Sequence, residues 1–311
     1  MLKNYNTISD ETLTKWHEGA RMIGIPREAY NNPIKIVKDS SGKSKYSFGV
    51  VFNEYRAKRP GKGSSGQTVR CHMCRMVNEA LQEPAKNLFP KLKILDLIIT
   101  PNGFPVAEGA SMAISSRTDE KERPMYASNK SDNLENELRA LFDSLDKTGF
   151  YIFHNSPGAG ATIPGHEHWQ LPHWGALYSL IGAKYGFDNA EIKQCKTNNK
   201  VTFMPDFSMA HLIFDKNEPD RIVSFLNESS KGLKNIHPDG LVPHCLCQGD
   251  NGVLIVPFKK DVGRKMGSGD CAGHIFVYSQ EDFDHADYNY CVRHISEGMF
   301  LKEEINLEKF L

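Results

Sequence analysis

The sequence predicts an α+β protein of two related halves, each with mostly antiparallel strands packed by helices. Three observations lead there. Short alternating or β-branched runs recur between turn residues, amphipathic helical runs separate them, and a polar Asn/Lys-rich stretch at 186–200 divides the chain into segments 1–185 and 186–311 of loosely similar pattern. The first segment is expected to be the catalytic half. The second, without its histidine motif, is expected to be a degenerate copy.

In order along the chain, residues 8–22 have helical periodicity, and 46–52 alternate with β-branched and aromatic content as a strand does. Residues 60–67, with three Gly and two Ser, read as a loop that lacks the spacing of a P-loop. Runs 94–100 and 111–115 read as paired strands across the turn Pro101-Asn102-Gly103-Phe104-Pro105. Leu134, Leu138, Leu141, Phe142 and Leu145 form one apolar stripe, so 134–145 reads as an amphipathic helix. Past the seam, 207–214 reads as a strand, 219–226 as a helix, and 241–258 as a hairpin turning at Asp250-Asn251-Gly252.

The 311 residues are 40% hydrophobic and 24% charged, which is ordinary globular material. Lys plus Arg (38) equals Asp plus Glu (38), so no global charge draws the chain to nucleic acid or an anionic membrane. Any anion site must be a local cluster, and the partner is expected to be a small molecule. The apolar runs 95–100 and 253–258 are too short to span a bilayer, and residues 1–30 hold no stretch of signal-peptide length. A soluble cytoplasmic protein is the expectation. Seven cysteines, an odd and scattered number, fit reduced thiols, and only Cys71-His72-Met73-Cys74 is spaced like a metal site.

The richest segment is 155–170, where His166-Glu167-His168-Trp169-Gln170 follows a loop of small residues. In an extended strand side chains alternate, so His166, His168 and Gln170 share one face while Glu167 and Trp169 point away. Two imidazoles and an amide beside a Gly/Ala loop offer a nucleophile or a ligand pair, and backbone N–H groups that a phosphate can approach closely. Small residues ahead of a strand leave room for a ligand where a core would want bulk. A His-x-His metal pair is the second reading of the same residues. Arg56, Lys58 and Arg59 read as a solvated basic loop unless a phosphate site lies beside them, where guanidinium forks become clamps. Trp169 and Trp174 read as core or wall.

These residues resemble the histidine-triad superfamily, in its transferase branch of galactose-1-phosphate uridylyltransferase, diadenosine tetraphosphate phosphorylase and the GDP-hexose phosphorylases. Arg56-Ala57-Lys58-Arg59-Pro60 resembles the segment with which the uridylyltransferase approaches its nucleotide. Cys71-His72-Met73-Cys74 resembles the C-x-x-C of its zinc site, and His166 to Gln170 its His-Pro-His-x-Gln. Asn155 stands eleven residues before His166, the family spacing, and the stretch from Asn155 through Gly158, Ala159, Gly160, Ala161 and Thr162 is similar to that of GDP-L-galactose phosphorylase with one residue more. Residues 101–116 resemble the family's Asn-x-(Phe/Tyr)-Pro hairpin, which brings in Asn102. The likeness spans about 50–175 and then fades to the hairpins and the segment 269–283. One departure is Ser115-Ser116-Arg117-Thr118, where the uridylyltransferase carries a further zinc-binding His.

The resemblance implies a HIT-like fold of two half-barrels and nucleotidyl transfer through a covalent histidine. His168 is then the nucleophile, and His166 positions it through a structural zinc shared with Cys71 and Cys74. Gln170 and the N–H groups of Gly158 to Thr162 hold the phosphate oxygens, Arg56 and Arg59 neutralise the remaining phosphate, and Asn155 orients the loop or a ribose hydroxyl. The donor is a nucleotide or nucleotide-sugar, and the acceptor is a sugar phosphate or inorganic phosphate. A hydrolase using the same histidine, or a non-catalytic nucleotide- or zinc-binding protein, are the alternatives. A homodimer is expected by the same analogy.

Overall fold

Side chains alternating along the strands sort into two core layers on opposite faces of one large sheet, and that division decides where the functional residues point. The structure, a computed structural model, describes residues 9–42, 47–57, 72–83, 94–116, 132–146, 148–156, 158–160, 168–173, 196–198, 201–203, 209–232, 243–249, 252–259, 262 and 266–307. Among the described residues, nine strands form an antiparallel sheet in the order β3-β4-β6-β5-β10-β11-β9-β8-β7. They are β3 (Leu97–Pro101), β4 (Ser111–Ser115), β5 (Phe153–Asn155), β6 (His168–Leu171), β7 (Lys196–Asn198), β8 (Val201–Phe203), β9 (Leu212–Phe214), β10 (His244–Gly249) and β11 (Gly252–Pro257). A second sheet runs β1 (Ile34–Lys38), β2 (Ser47–Phe52), β12 (His274–Val277), with β12 parallel to β2.

The first layer holds Leu97, Ile99, Ala113, Trp169, Leu171, Leu246, Val253, Ile255, Leu212 and Phe214, all fully or nearly buried. Helices α1 (Asp10–Met22), α4 (Asp132–Leu145) and α5 (Pro219–Gly232) cover it through Trp16, Leu138, Leu141, Ile222 and Phe225. Each such large side chain, fully withdrawn from water, contributes about 1.5–3 kcal/mol. The α1 start is fixed by Ser9, whose hydroxyl accepts from Thr12 N–H, with Asp10 and Glu11 at the positive end of the helix dipole. Trp16 Nε1 donates to Ala110 carbonyl oxygen at 3.0 Å and so ties α1 to the loop that precedes β4.

The opposite face packs differently along its length. Over β3 and β4, Ile98, Met112 and Ile114 meet Met73, Met76, Val77 and Ala80 of α3 (His72–Gln82). Over β5, β10 and β11, Phe153, Cys245, Cys247, Leu254 and Val256 meet Phe48, Val50 and Ile275 of the small sheet. Between these two packings no described residue covers the face completely, and the cleft described below opens there. Helices α2 (Glu54–Ala57), α6 (Ser268–Cys271), α7 (Gln280–His285) and α8 (Tyr288–Ser296), with a 3-10 turn at Arg27–Ala29, complete the described elements.

The α+β class, the antiparallel sheet, the helix over 134–145 and the hairpin β10–β11 agree with expectation, the hairpin closing at Gly249 opposite Gly252. Three bounds differ for local reasons. The strand expected from residue 94 starts at Leu97, because Leu95 at φ 51 turns the chain there. The strand expected over 207–214 is reduced in its described part to Leu212–Phe214, with Met209 paired to Leu301 instead. The helix expected over 219–226 runs to Gly232. The division at 185/186 lies outside the described residues. Strands from either side of it share one sheet, since β5 pairs β10 with Asn155 opposite Cys245, and β12 of the later segment pairs β2 of the earlier one.

Candidate active site

Strand β6 places the motif. Phe153 faces Gln170 across β5–β6, and Met112 and Ile114 face Gln170 and His168 across β4–β6. Directly opposed residues share a face, so His168 and Gln170 point to the α3 side of the sheet. Trp169 and Leu171 go into the helical layer, as the alternation predicts. Trp169 is fully buried against His154 with ring centroids 4.8 Å apart. Burial drives His154 well below the usual histidine range, with His244 and His168 adding repulsion, so it stays neutral.

On the open face lies a cleft of about 560 Å³, part of it solvent, lined by Arg56, Asn102, Asn155, Gly160 and Gln170 among others. Five sequence-predicted binding or catalytic positions, separated by up to 114 residues, meet here. His168 lies two residues along β6 from Gln170, on the same face, half-buried and just beyond this lining.

Arg56 belongs to α2, not to a solvated loop. Asn53, itself buried, accepts from Arg56 N–H at 2.9 Å and starts that helix. Arg56 Nη1 donates to Phe104 carbonyl oxygen at 3.0 Å, and its guanidinium carbon sits 5.2 Å from the centroid of Phe276. Its Nε is shielded from solvent and has no partner among the described residues. Burial lowers the guanidinium's pKa, while Tyr278 and Asp270 favour the charge. A cation so placed is well suited to an anionic guest.

Asn155 looks across the cleft rather than at its own loop. Its Oδ1 accepts from Ser268 N–H at 2.6 Å and from Cys245 Sγ at 3.2 Å. Gly160 holds φ +84, and a Cβ there would sit 2.4 Å from Met266 carbonyl oxygen, so only glycine fits. Gly158 carbonyl oxygen accepts from Val262 N–H at 2.9 Å. Ala159 departs from its expected role, because its N–H is spent on Ser156 carbonyl oxygen and its side chain is core. Asn102 Oδ1 accepts from Phe104 N–H and shapes the turn that presents Phe104 to Arg56.

The far wall was not foreseen. Met266, Gly267, Ser268, Gly269 and Asp270, with Phe276 and Tyr278, come from the segment after the seam. Asp270 Oδ2 accepts from Gly267 N–H at 2.7 Å and Oδ1 faces His294 Nε2 at 3.1 Å. Burial alone would lower the pKa of His294, but the hydrogen bond and charge of Asp270, with Glu297 beyond, raise it. The Gly-Ser-Gly-Asp string was the available signal for this wall, and it is too short to stand out without the fold.

Arg59, Cys71, Ala161, Thr162 and His166 lie outside the described residues. Cys74 is half-buried on α3, the helix that covers the His168 face of the sheet. Among the described residues no three His, Cys, Asp or Glu side chains converge as a metal site, and no two described cysteines form a disulfide.

The same fold occurs in a solved phosphorylase. Yeast Ap4A phosphorylase Apa2 superposes with TM-score 0.62 at 13% identity, covering 95% of this chain and 96% of that one. Its complex with Ap4A gives TM-score 0.62 at 13% identity over 97% and 99%, and its complex with AMP gives 0.60 at 14% over 97% and 99%. No family model and no curated protein matches the chain by sequence. The likeness is one of fold, and it is the fold expected from the histidine-triad resemblance.

Proposed function

We propose that this protein is a nucleotidyltransferase that moves a nucleoside monophosphate from a dinucleotide or nucleotide-sugar to a phosphate acceptor. The observation that carries the proposal is the convergence of Arg56, Asn155, Gly160 and Gln170 on one cleft beside His168, in a chain with the fold of an enzyme solved with Ap4A and with AMP. The His168 imidazole attacks the α-phosphorus, the bond from phosphorus to the bridging oxygen breaks, the remaining nucleoside polyphosphate or sugar phosphate leaves on that oxygen, and a nucleotidyl-histidine forms. Inorganic phosphate or a sugar phosphate then takes the nucleotide and frees the imidazole. Gln170 donates to a non-bridging oxygen, and Arg56 balances the charge that develops.

A thiolate pair with an imidazole suits tetrahedral zinc, and the α3 helix brings Cys74 to the side of the sheet that carries His168. In this reading Cys71, Cys74 and His166 hold a structural zinc that fixes the approach to β6, and the chemistry itself belongs to the chain. The reduced thiols and neutral charge balance fit a cytoplasmic protein. No described helix is long and apolar enough to cross a membrane.

The test is product analysis with Ap4A and a panel of nucleoside diphosphate sugars, alone and with inorganic phosphate or a hexose 1-phosphate as acceptor. Acceptor-dependent turnover is expected, releasing a nucleoside diphosphate with inorganic phosphate or forming a new nucleotide-sugar with hexose 1-phosphate. Release of nucleoside monophosphate independent of phosphate would make the protein a hydrolase, and no turnover of any donor would leave only a binding role.

A further inference from the structure

The cleft is lined by two residues that each carry a buried hydrogen-bond donor without a partner among the described residues, and they come from segments far apart in sequence. Ser268 is 1% exposed, lines the cleft, and its Oγ has no partner among the described residues. Arg56 lines the same cleft, and its Nε is likewise shielded from solvent and without a partner among the described residues. A buried hydroxyl left unsatisfied costs on the order of 1–3 kcal/mol, so an unpartnered pair lining one cleft needs an occupant. The backbone around Ser268 is held independently of that hydroxyl. Ser268 N–H is bound by Asn155 Oδ1, Gly267 N–H by Asp270 Oδ2, and Ala272 N–H by Ser268 carbonyl oxygen. The hydroxyl is therefore positioned but unspent.

We infer that Ser268 Oγ and Arg56 Nε bind one phosphate group of the substrate between them, making Ser268 a substrate-binding residue supplied by the later segment of the chain. The inference rests on the proposed phosphoryl chemistry of the same cleft and adds the residue that closes it. An oxyanion is the occupant the chemistry selects, because one partner is a cation, the other a neutral donor, and both can donate to oxygen. A cationic guest would be repelled by Arg56, and a purely apolar one would leave both donors unpaired. Asp270 lies close by, but its two oxygens are engaged with Gly267 N–H and His294, which turns its charge from the guest.

The test compares wild type, Ser268→Ala and Arg56→Gln by calorimetric titration with inorganic pyrophosphate and by thermal unfolding. Ser268→Ala is expected to weaken pyrophosphate binding on the order of 10- to 100-fold, the loss of one hydrogen bond to a charged group. Its Tm should be unchanged or higher, since the removed hydroxyl bonds to nothing in the protein. A structural role for Ser268 would instead lower Tm, so that result overturns the inference. Equal pyrophosphate affinity in Ser268→Ala, or no binding by wild type at millimolar concentration, overturns it as well. Failure of the nucleotidyl-transfer reading is separately visible, because it appears as absent labelling of His168 whatever the pyrophosphate result.

Discussion

Asn155 Oδ1 accepts the backbone N–H of Ser268 at 2.6 Å, joining the end of β5 to the start of α6 across 113 positions of sequence. This bond sets the width of the cleft, because Asn155 sits on one wall and the Gly267–Asp270 segment is the other. The asparagine foreseen as a loop or ribose contact thus acts first on the far wall.

Asn155→Ala is expected to destabilise the protein by about 1–3 kcal/mol, since it leaves Ser268 N–H without its acceptor and the Cys245 thiol with only the Ala159 carbonyl oxygen. Asn155→Asp keeps the acceptor and should fold nearly as well, yet bind phosphate compounds more weakly because it adds a negative charge to the cleft. Urea unfolding and nucleotide titration separate the two effects. Equal stability of Asn155→Ala and wild type would show that the bond does not hold the wall.

Gly160→Ala should cost about 2 kcal/mol or more, combining the left-handed backbone penalty with a Cβ 2.4 Å from Met266 carbonyl oxygen. The contact is to backbone, so relaxation must move the 266–270 wall and weaken ligand binding together with stability. An alanine variant with unaltered Tm and affinity would contradict the close approach of these two loops.

Much of this arrangement was legible in the sequence. The alternation at 168–171 was sufficient to send Trp169 into the helical layer and leave His168 and Gln170 on the open face. The apolar stripe from Leu134 to Leu145 identified α4. What remained hidden depends on tertiary pairing: β12 lies parallel to β2, which brings Phe276 and Tyr278 beside Arg56, and no local pattern encodes that partnership. Ser268 was equally hidden, since a serine between two glycines has many ordinary uses as a turn residue. The residues around Arg56 suggest a basic loop, and only the resemblance brings it to a phosphate, because sequence shows its charge and not the Asn53 contact that starts its helix.

Acidification should destabilise the fold from about pH 6.5 downward. Burial pushes His211 to about 3, His274 to about 3 and His173 to about 4. Between the unfolded value and these, the unfolded chain takes up protons that the folded chain refuses, so stability falls as pH drops. Each contributes a loss of about 1.4 kcal/mol at pH 5.5 relative to neutral pH. His294 acts in the opposite sense. Its raised pKa adds stability that is fully present below the unfolded value and is lost as pH rises through the folded one. Urea midpoints at pH 7.5 and 5.5 should therefore differ by a net loss on acidification, and equal midpoints would contradict the neutral burial of these rings.

Zinc removal tests the role assigned to Cys71, Cys74 and His166. Cys74→Ser is expected to lower bound zinc, measured by elemental analysis, and to lower Tm more than it lowers turnover per folded molecule. A zinc-free wild type that is as stable and active as the untreated protein would dismiss the metal from the account.

The most direct test of the central claim is intact-protein mass spectrometry after incubation with Ap4A and UDP-, GDP-, ADP- and CDP-sugars, with His168→Ala alongside. The account predicts one nucleoside monophosphate adduct on wild type, absent from the variant, and its mass identifies the base. An adduct on folded His168→Ala, or none on wild type with any donor, would contradict the covalent histidine.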